Sequence, residues 1–399
     1  MFKPNPYPKI RATYIFFMAI VWSLYAYSQG VKMSPDSRTY SLWADGLIEY
    51  NFNIFKLLAN IDFWVSLHFY YHWLTIVALN KLLLGENWGL GIVVLNILAG
   101  ISIAALLLKT SWTTTKKPAC VIFAGLFLLL CHDFHLWIPF VLSDTLFGSL
   151  CFLIFTLTIS LYQQPPKLSK TVIGVGVLMC FAIFFRPASP PLLIFVLLSI
   201  PLAIFFKSMA ADPNKRHNFI IRFTLLACVL VSFTIFIHSY FMFYPDKWPF
   251  SSLSGWVVML SNGYQEGIVM QQHFETYHST PHSIWENALI SLHKFVGYFY
   301  ITVDSFSFKH SFLNFSFYLP VYGFSLFAIT KLFRKGNGPS LSNWWCIFSC
   351  TLYIFLFAFF HSLQQIDFDF RYRVPCLLPL ILLATLGLNE FINSFSKRT

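Results

Sequence analysis

Charge is the first thing this chain lacks. Only 11% of its 399 residues are Asp, Glu, Lys or Arg, and 57% are hydrophobic, whereas soluble domains carry about 25% charged residues. The shortfall is not local, because apolar runs recur from Tyr14 to Phe391. Missing too are the alternating segments of a membrane β-barrel, about ten residues each; residues 92–108 are apolar on every face. All eight cysteines fall in apolar runs without zinc or redox spacing, Cys346 and Cys350 being the closest pair. They read as small buried hydrophobes. A massed basic patch is also absent. The net charge of +11 comes from residues scattered between apolar runs, which excludes a nucleic-acid surface. No internal repeat stands out, so the inverted-repeat signature of many transporters is missing. The first apolar run has no small-residue cleavage site and reads as an anchor.

What is present is a succession of apolar segments of membrane-crossing length. A spanning helix needs about 20 mostly apolar residues, and its backbone groups must be bonded within the segment. The expected fold class is therefore an all-α polytopic integral membrane protein. Orientation follows from the basic residues, which favour the cytoplasmic side. Lys397 and Arg398 put the end of the last span inside, and Lys331, Arg334 and Lys335 mark another inside loop. So do Lys207, Lys215 and Arg216, then Lys167 with Lys170, then Lys109, Lys116 and Lys117, and at the start Lys3, Lys9 and Arg11. These close into ten spans at 12–28, 88–108, 119–131, 145–162, 171–185, 187–206, 220–243, 312–330, 344–362 and 374–393. Parity then requires that residues 63–84, with His68, His72, Asn80 and Lys81 among their apolar neighbours, do not cross. They read as an amphipathic helix in the outer interface. On this map the inside segments hold 17 of the 27 Lys and Arg against two acids, Asp212 and Glu390, and the outside holds 10 against the other 14 acids. A random partition would not separate the signs in this way. The whole chain, 1–399, forms a single membrane domain with outer loops at 29–87, 132–144, 244–311 and 363–373.

Ordered loops of such length are usually functional, and the outer ones hold the residues able to do chemistry. Asp36 lies in Ser34-Pro35-Asp36-Ser37-Arg38, where either Ser34 or Asp36 can cap a short helix. Asp144 stands at the outer start of a span, as a cap or as a site residue. His132, Asp133 and His135 suit a divalent metal ion by ligand type, or else satisfy a helix end. Arg186, in Phe185-Arg186-Pro187, has no acid near it in sequence. It calls for an anionic partner such as phosphate, or snorkels to lipid head groups. Arg371 and Arg373 stand in Asp367-Phe368-Asp369-Phe370-Arg371-Tyr372-Arg373, on the side where topology does not favour positive charge. They pair locally with Asp367 and Asp369, or they bind phosphate. A carboxylate and several arginines at one membrane face suit a sugar linked to a lipid phosphate. Arginines would stabilise the departing phosphate, and a carboxylate would take the proton from the attacking hydroxyl.

Taken in order, these segments resemble the GT-C membrane glycosyltransferases, polytopic enzymes that use polyprenyl-phosphate sugars and include protein mannosyltransferases and lipid A aminoarabinose transferases. Asp36-Ser37 followed by Tyr40, Ala44 and Leu47 is similar to the family's first-loop acidic motif. Residues 70–85, ending Leu83-Leu84-Gly85, resemble its aromatic segment, and Ser143-Asp144 its second-loop acid. Arg186-Pro187 and Arg371-Tyr372-Arg373-Val374-Pro375 resemble its later basic motifs. The Lys-Pro-Pro stretch of some relatives has no counterpart here, Ile61-Asp62-Phe63-Trp64 standing near that place. The resemblance implies a GT-C-like fold and inverting sugar transfer from a polyprenyl-phosphate donor to a hydroxyl of a cell-envelope glycan, lipid or protein. The setting would be a bacterial inner membrane, with the periplasmic, extracellular or lumenal face active. It implies Asp36 as base, with Asp144 assisting through acceptor or metal contacts. Arg186, Arg371 and Arg373 would hold the donor phosphate, and Arg38, Tyr40, His72 and Tyr372 would line the substrate. No cofactor is assigned; the residues themselves offer a divalent metal ion on His132 and Asp133 as the candidate. The competing class is a transporter or flippase of a lipid-linked glycan, since intramembrane charges also mark transport pathways.

Overall fold

A computed structural model describes residues 5–60, 67–163, 168–208, 213–243, 283–303, 306–334, 339–364 and 370–396. In chain order the α-helices are α1 (Tyr7–Gln29), α2 (Pro35–Glu49), α3 (Ile54–Asn60), α4 (Tyr71–Leu84), α5 (Trp88–Thr115), α6 (Pro118–Leu130), α7 (His132–His135) and α8 (Asp144–Gln163). They continue with α9 (Leu168–Ile183), α10 (Pro190–Ser208), α11 (Pro213–Phe243), α12 (Ile284–Gly297), α13 (Phe308–Leu332), α14 (Leu341–Leu363) and α15 (Val374–Ser396). Short 3-10 turns occupy Leu67–Tyr70, Gly85–Asn87 and Phe370–Arg373. Among the described residues the β-type pairing is an isolated bridge between Lys32 and Phe140.

Among the described residues, seven stretches are long and apolar enough to cross a bilayer: Tyr7–Gln29, Tyr71–Thr115, Asp144–Tyr162, His217–Ile237, Phe308–Leu332, Leu341–Leu363 and Phe370–Ser396. Three shorter apolar helices, Pro118–Leu130, Lys170–Ile183 and Pro190–Ala203, stand among them. The chain is a helical, multi-pass membrane protein. Its surface agrees with that solvent: Leu225, Leu226, Val229, Leu230 and Phe233 are all exposed along α11. By contrast α15 is enclosed, burying Leu377, Leu378, Ile381, Leu382, Ala384 and Leu386 among its neighbours α6, α8, α13 and α14. Lipid tails are as apolar as Leu, so close backbone approach rather than hydrophobic burial holds such helices together. At Gly387 of α15 a Cβ would stand only 1.9 Å from the carbonyl oxygen of Phe324 on α13. Gly100 and Gly125 similarly admit the rings of Trp22 and Tyr14 from α1.

Local chemistry sets the helix ends. Lys116 takes a left-handed conformation (φ 54°) that closes α5, and Pro118 opens α6 from the first turn, where its missing N–H costs nothing. Ser283, Ser307 and Ser340 each accept a backbone N–H to cap α12, α13 and α14. The span expected at 187–206 begins instead at Pro190: Arg186 to Ser189 form a turn, and Ser189, preceding Pro190, is disfavoured from helical conformation.

The segment 63–84 departs from expectation. Residues 61–66 lie outside the described residues; the rest forms the Leu67–Tyr70 turn and α4, which is apolar on two faces rather than amphipathic. One face buries Trp73, Leu74, Val77 and Ala78, and the other exposes Leu79, Leu82, Leu83 and Leu84. Thr75 and Asn80 return their donors to the carbonyls of Tyr71 and Ile76 within the helix. Gly85 (φ 54°) turns the chain, so that Gly91 of α5 comes against Asn80 and Leu84. Lys81 binds Asp45 at 2.6 Å and the Ser41 carbonyl at 3.0 Å, tying α4 to α2. At one end of the bundle, then, Lys32 meets Phe140, and the His72 N–H donates to the Phe184 carbonyl in the loop after α9. At the other end, Lys117 reaches Asn393 at 2.5 Å and Lys331 reaches Ser394 at 3.0 Å.

Candidate active site at one end of the bundle

Ser34 caps α2, and its exchange with Ser37 is reciprocal: the Ser37 N–H donates to Ser34 Oγ at 3.2 Å, and the Ser34 N–H to Ser37 Oγ at 3.0 Å. With the cap made by serine, Asp36 is left to point across the bundle. It accepts from Nη1 of Arg371 at 2.6 Å, although the two lie 335 positions apart. A second pair forms beside it. Asp144, in the first turn of α8, accepts from Nη1 of Arg186 in the turn after α9. Both partners are buried, with side chains 2% and 8% exposed, whereas Asp36 keeps 33% of its side chain open. Tyr372 joins the pairs: the Arg371 and Arg186 guanidinium carbons lie 5.4 and 5.7 Å from its ring centroid, within cation–π range. His361 of α14 stacks on the same ring at 4.9 Å.

Charge is tolerated here because it is paired. Burial works against the Arg186 cation, yet Asp144 and then Tyr70 hold its pKa above the ordinary value. Tyr40 of α2, buried and 5.2 Å ring to ring from Tyr70, has its hydroxyl pKa pushed well up by burial and then by Tyr70. The absence of an acid near Arg186 in sequence thus gave the wrong balance: the fold supplies Asp144 from 42 positions away. Asp367 and Asp369, the expected local partners of Arg371 and Arg373, lie outside the described residues.

Arg373, two residues after Arg371, has partners of its own: it donates to the Tyr300 carbonyl and lies 5.2 Å from the Tyr318 ring and 4.3 Å from Phe370. Tyr318 in turn donates to Asp133 at 2.5 Å, and His310 stands 3.7 Å from the same carboxylate. Burial raises the Asp133 pKa, but His310, Arg373 and Tyr318 together bring it below its ordinary value. His132, its pKa lowered by burial, meets His310 edge to face at 4.6 Å. His135, grouped with these residues by sequence, turns away: Trp22 donates to its Nδ1 at 2.5 Å and its Nε2 meets the Leu129 carbonyl at 2.8 Å. Among the described residues no three His, Cys, Asp or Glu side chains are placed to hold a metal ion. His132 and Asp133 therefore have tyrosine, histidine and arginine neighbours in place of a ligand set.

Two expected substrate residues also stand apart. Arg38 is exposed on α2 outside the converging group. His72 packs on Phe181 at 4.3 Å and bonds its carbonyl at 2.9 Å, joining α4 to α9. Sequence reasoning missed Tyr70, Tyr318, His310 and His361. Tyr70 was signalled by its place in the aromatic segment, while His310 and Tyr318 sit in an apolar helix with no local pattern to mark them. No protein-family model, curated protein or solved structure matches the chain.

Proposed function

We propose that this protein is a membrane glycosyltransferase of GT-C type. It would take a sugar from a polyprenyl-phosphate donor and pass it to a hydroxyl of a cell-envelope glycan, lipid or protein, with inversion. The observation that carries this reading is the convergence of two carboxylate–guanidinium pairs, Asp36–Arg371 and Asp144–Arg186, on the Tyr372 ring at one end of a lipid-embedded bundle. Guanidinium groups bind phosphate bidentately. A donor phosphate arriving between Arg371 and Arg186 would compete with Asp36 for Arg371 and release that half-open carboxylate. Asp36 then takes the proton of the acceptor hydroxyl as its oxygen attacks the anomeric carbon. The bond from that carbon to the phosphate oxygen breaks, and polyprenyl phosphate leaves with the electron pair, held by the arginines. Asp144 keeps Arg186 charged and in place.

The same reading has ten spans, the seven long stretches and the three shorter apolar helices, with the site on the periplasmic or extracellular side of a bacterial inner membrane. Its support is the sorting of contacts: residues expected outside meet one another (Lys32 with Phe140, Asp36 with Arg371), as do residues expected inside (Lys117 with Asn393). A flippase reading is less well supported, because the paired charges stand at helix ends rather than in helix centres, as Asp36 and Asp144 in first turns illustrate. Asp36→Asn in membranes supplied with labelled donor lipid tests the assignment. A general base is worth about 100-fold or more, so transfer should fall by at least that; unchanged transfer refutes the role.

A further inference from the structure

Helix α12 is built inside out. On a surface helix in water the apolar stripe faces the core and the polar stripe faces solvent. Here Trp285, Leu289, Leu292 and Val296 form the outward stripe, 76%, 52%, 52% and 49% exposed, while Asn287, Ser291 and Lys294 are 1%, 3% and 6% exposed. Both stripes follow the i, i+4, i+7 spacing of one helix face. The inward one continues to Tyr298, immediately after the helix. With 14 residues, α12 measures about 21 Å, shorter than a hydrocarbon core of about 30 Å; α6 is no longer than this but is apolar throughout, whereas α12 carries Glu286, Asn287, His293 and Lys294 along its length. Its neighbours are membrane helices: Trp285 lies 6.4 Å from Phe236 of α11, whose own apolar surface is continuous with the outward stripe. Inward, Lys294 donates to the Gln364 carbonyl, and Tyr298 donates to the Tyr372 carbonyl at 3.1 Å. The polar stripe therefore holds the segment that presents Arg371 and Tyr372 to the candidate site.

We propose that α12 lies along the bilayer edge at the site end of the bundle, its Trp285–Val296 stripe seated in the hydrocarbon of that leaflet and its polar stripe forming the lipid-side wall of the Asp36–Arg371 site. The occupant of the apolar stripe is the lipid bilayer. Interfacial helices of this kind bury their apolar face about 5–10 Å into the acyl boundary. The second half of the proposal rests on the functional reading above; the bilayer contact does not.

The test places the photoreactive residue benzoylphenylalanine at Leu292 in the full chain, reconstituted in phosphatidylcholine–phosphatidylglycerol vesicles with radiolabelled lipid. A second variant carries it at Leu289; both side chains point out of the protein, so the fold tolerates either. Val229 on α11 gives the yield for a lipid-facing position and Glu49 on α2 the yield for an aqueous one. Lipid adducts from 292 and 289 within about threefold of the yield at 229 are expected if the stripe is seated at the acyl boundary. Adducts no more frequent than at 49, or adducts to a second protein chain in their place, overturn the proposal. Because the readout is lipid attachment, it holds or fails independently of sugar transfer.

Discussion

Replacing Asp144 by Asn strands the Arg186 cation. Its side chain is 8% exposed and accepts no rescue from bulk water, and Asp144 is the carboxylate bonded to it. Removing one partner of a buried ion pair costs about 3–5 kcal/mol, because the remaining charge keeps its desolvation penalty without compensation. Replacing both partners by apolar residues of similar volume is often neutral. The double variant Asp144→Leu with Arg186→Met should therefore recover most of the stability that Asp144→Asn loses, while remaining inactive. Six cysteines are buried, Cys120, Cys131, Cys151, Cys346, Cys350 and Cys376, so a thiol-reactive dye reports thermal unfolding of the detergent-solubilised chain as they become accessible. Ordering of the melts as wild type, then double variant close behind, then Asp144→Asn well below would support the argument. An Asp144→Asn protein that melts with the wild type, or a double variant no better than the single, would refute it.

Three further outcomes follow from the packing. Gly387→Ala puts a methyl into the carbonyl of Phe324, so α13 and α15 must part; over-packing of this kind costs about 1–3 kcal/mol, readable in the same melt, and Gly176→Ala, which meets nothing within 4 Å, should leave it unchanged. Burial lowers the His135 pKa from 6.5 to about 4, so the unfolded chain binds a proton that the folded chain refuses. That stability is fully present above pH 6.5 and is lost as pH falls toward 4, by about 3 kcal/mol; His135→Gln should flatten this part of the melting-temperature profile. At Tyr372 the ring rather than the hydroxyl carries both arginines, so Tyr372→Phe should keep donor affinity. Tyr372→Leu should lose about tenfold, two cation–π contacts being worth about 0.5–1 kcal/mol each; equal losses in both variants would show that the hydroxyl matters instead.

Helical, multi-pass architecture was legible because a low charge density and long apolar runs leave few alternatives in lipid. The residue types of the candidate site stood out in the sequence, since Asp144 and Arg186 interrupt apolar runs at segment ends and Asp36 and Arg371 lie in short charged stretches of the outer loops. Their pairing did not. Contacts across 42 and 335 positions leave no local trace in one sequence, and Arg371 and Arg373, two residues apart, were read as one unit although the turn carrying them directs each to a different partner. His135, read in sequence as a metal ligand or a residue satisfying a helix end, is satisfied by Trp22 from the first helix and by the Leu129 carbonyl. Polarity inversion in α12 could have been read from Asn287, Ser291 and Lys294, whose spacing marks one face, had a helix been expected within the long third loop.

The most direct test of the account is the fate of the donor. Purified full-length protein in vesicles, given polyprenyl phosphate carrying a labelled monosaccharide together with a cell-envelope extract as acceptor, should release free polyprenyl phosphate in step with appearance of the label on acceptor, and Asp36→Asn should slow both by about 100-fold or more. Donor that crosses the bilayer intact, with no polyprenyl phosphate released by the wild-type protein, would contradict glycosyl transfer and leave a lipid-glycan carrier in its place.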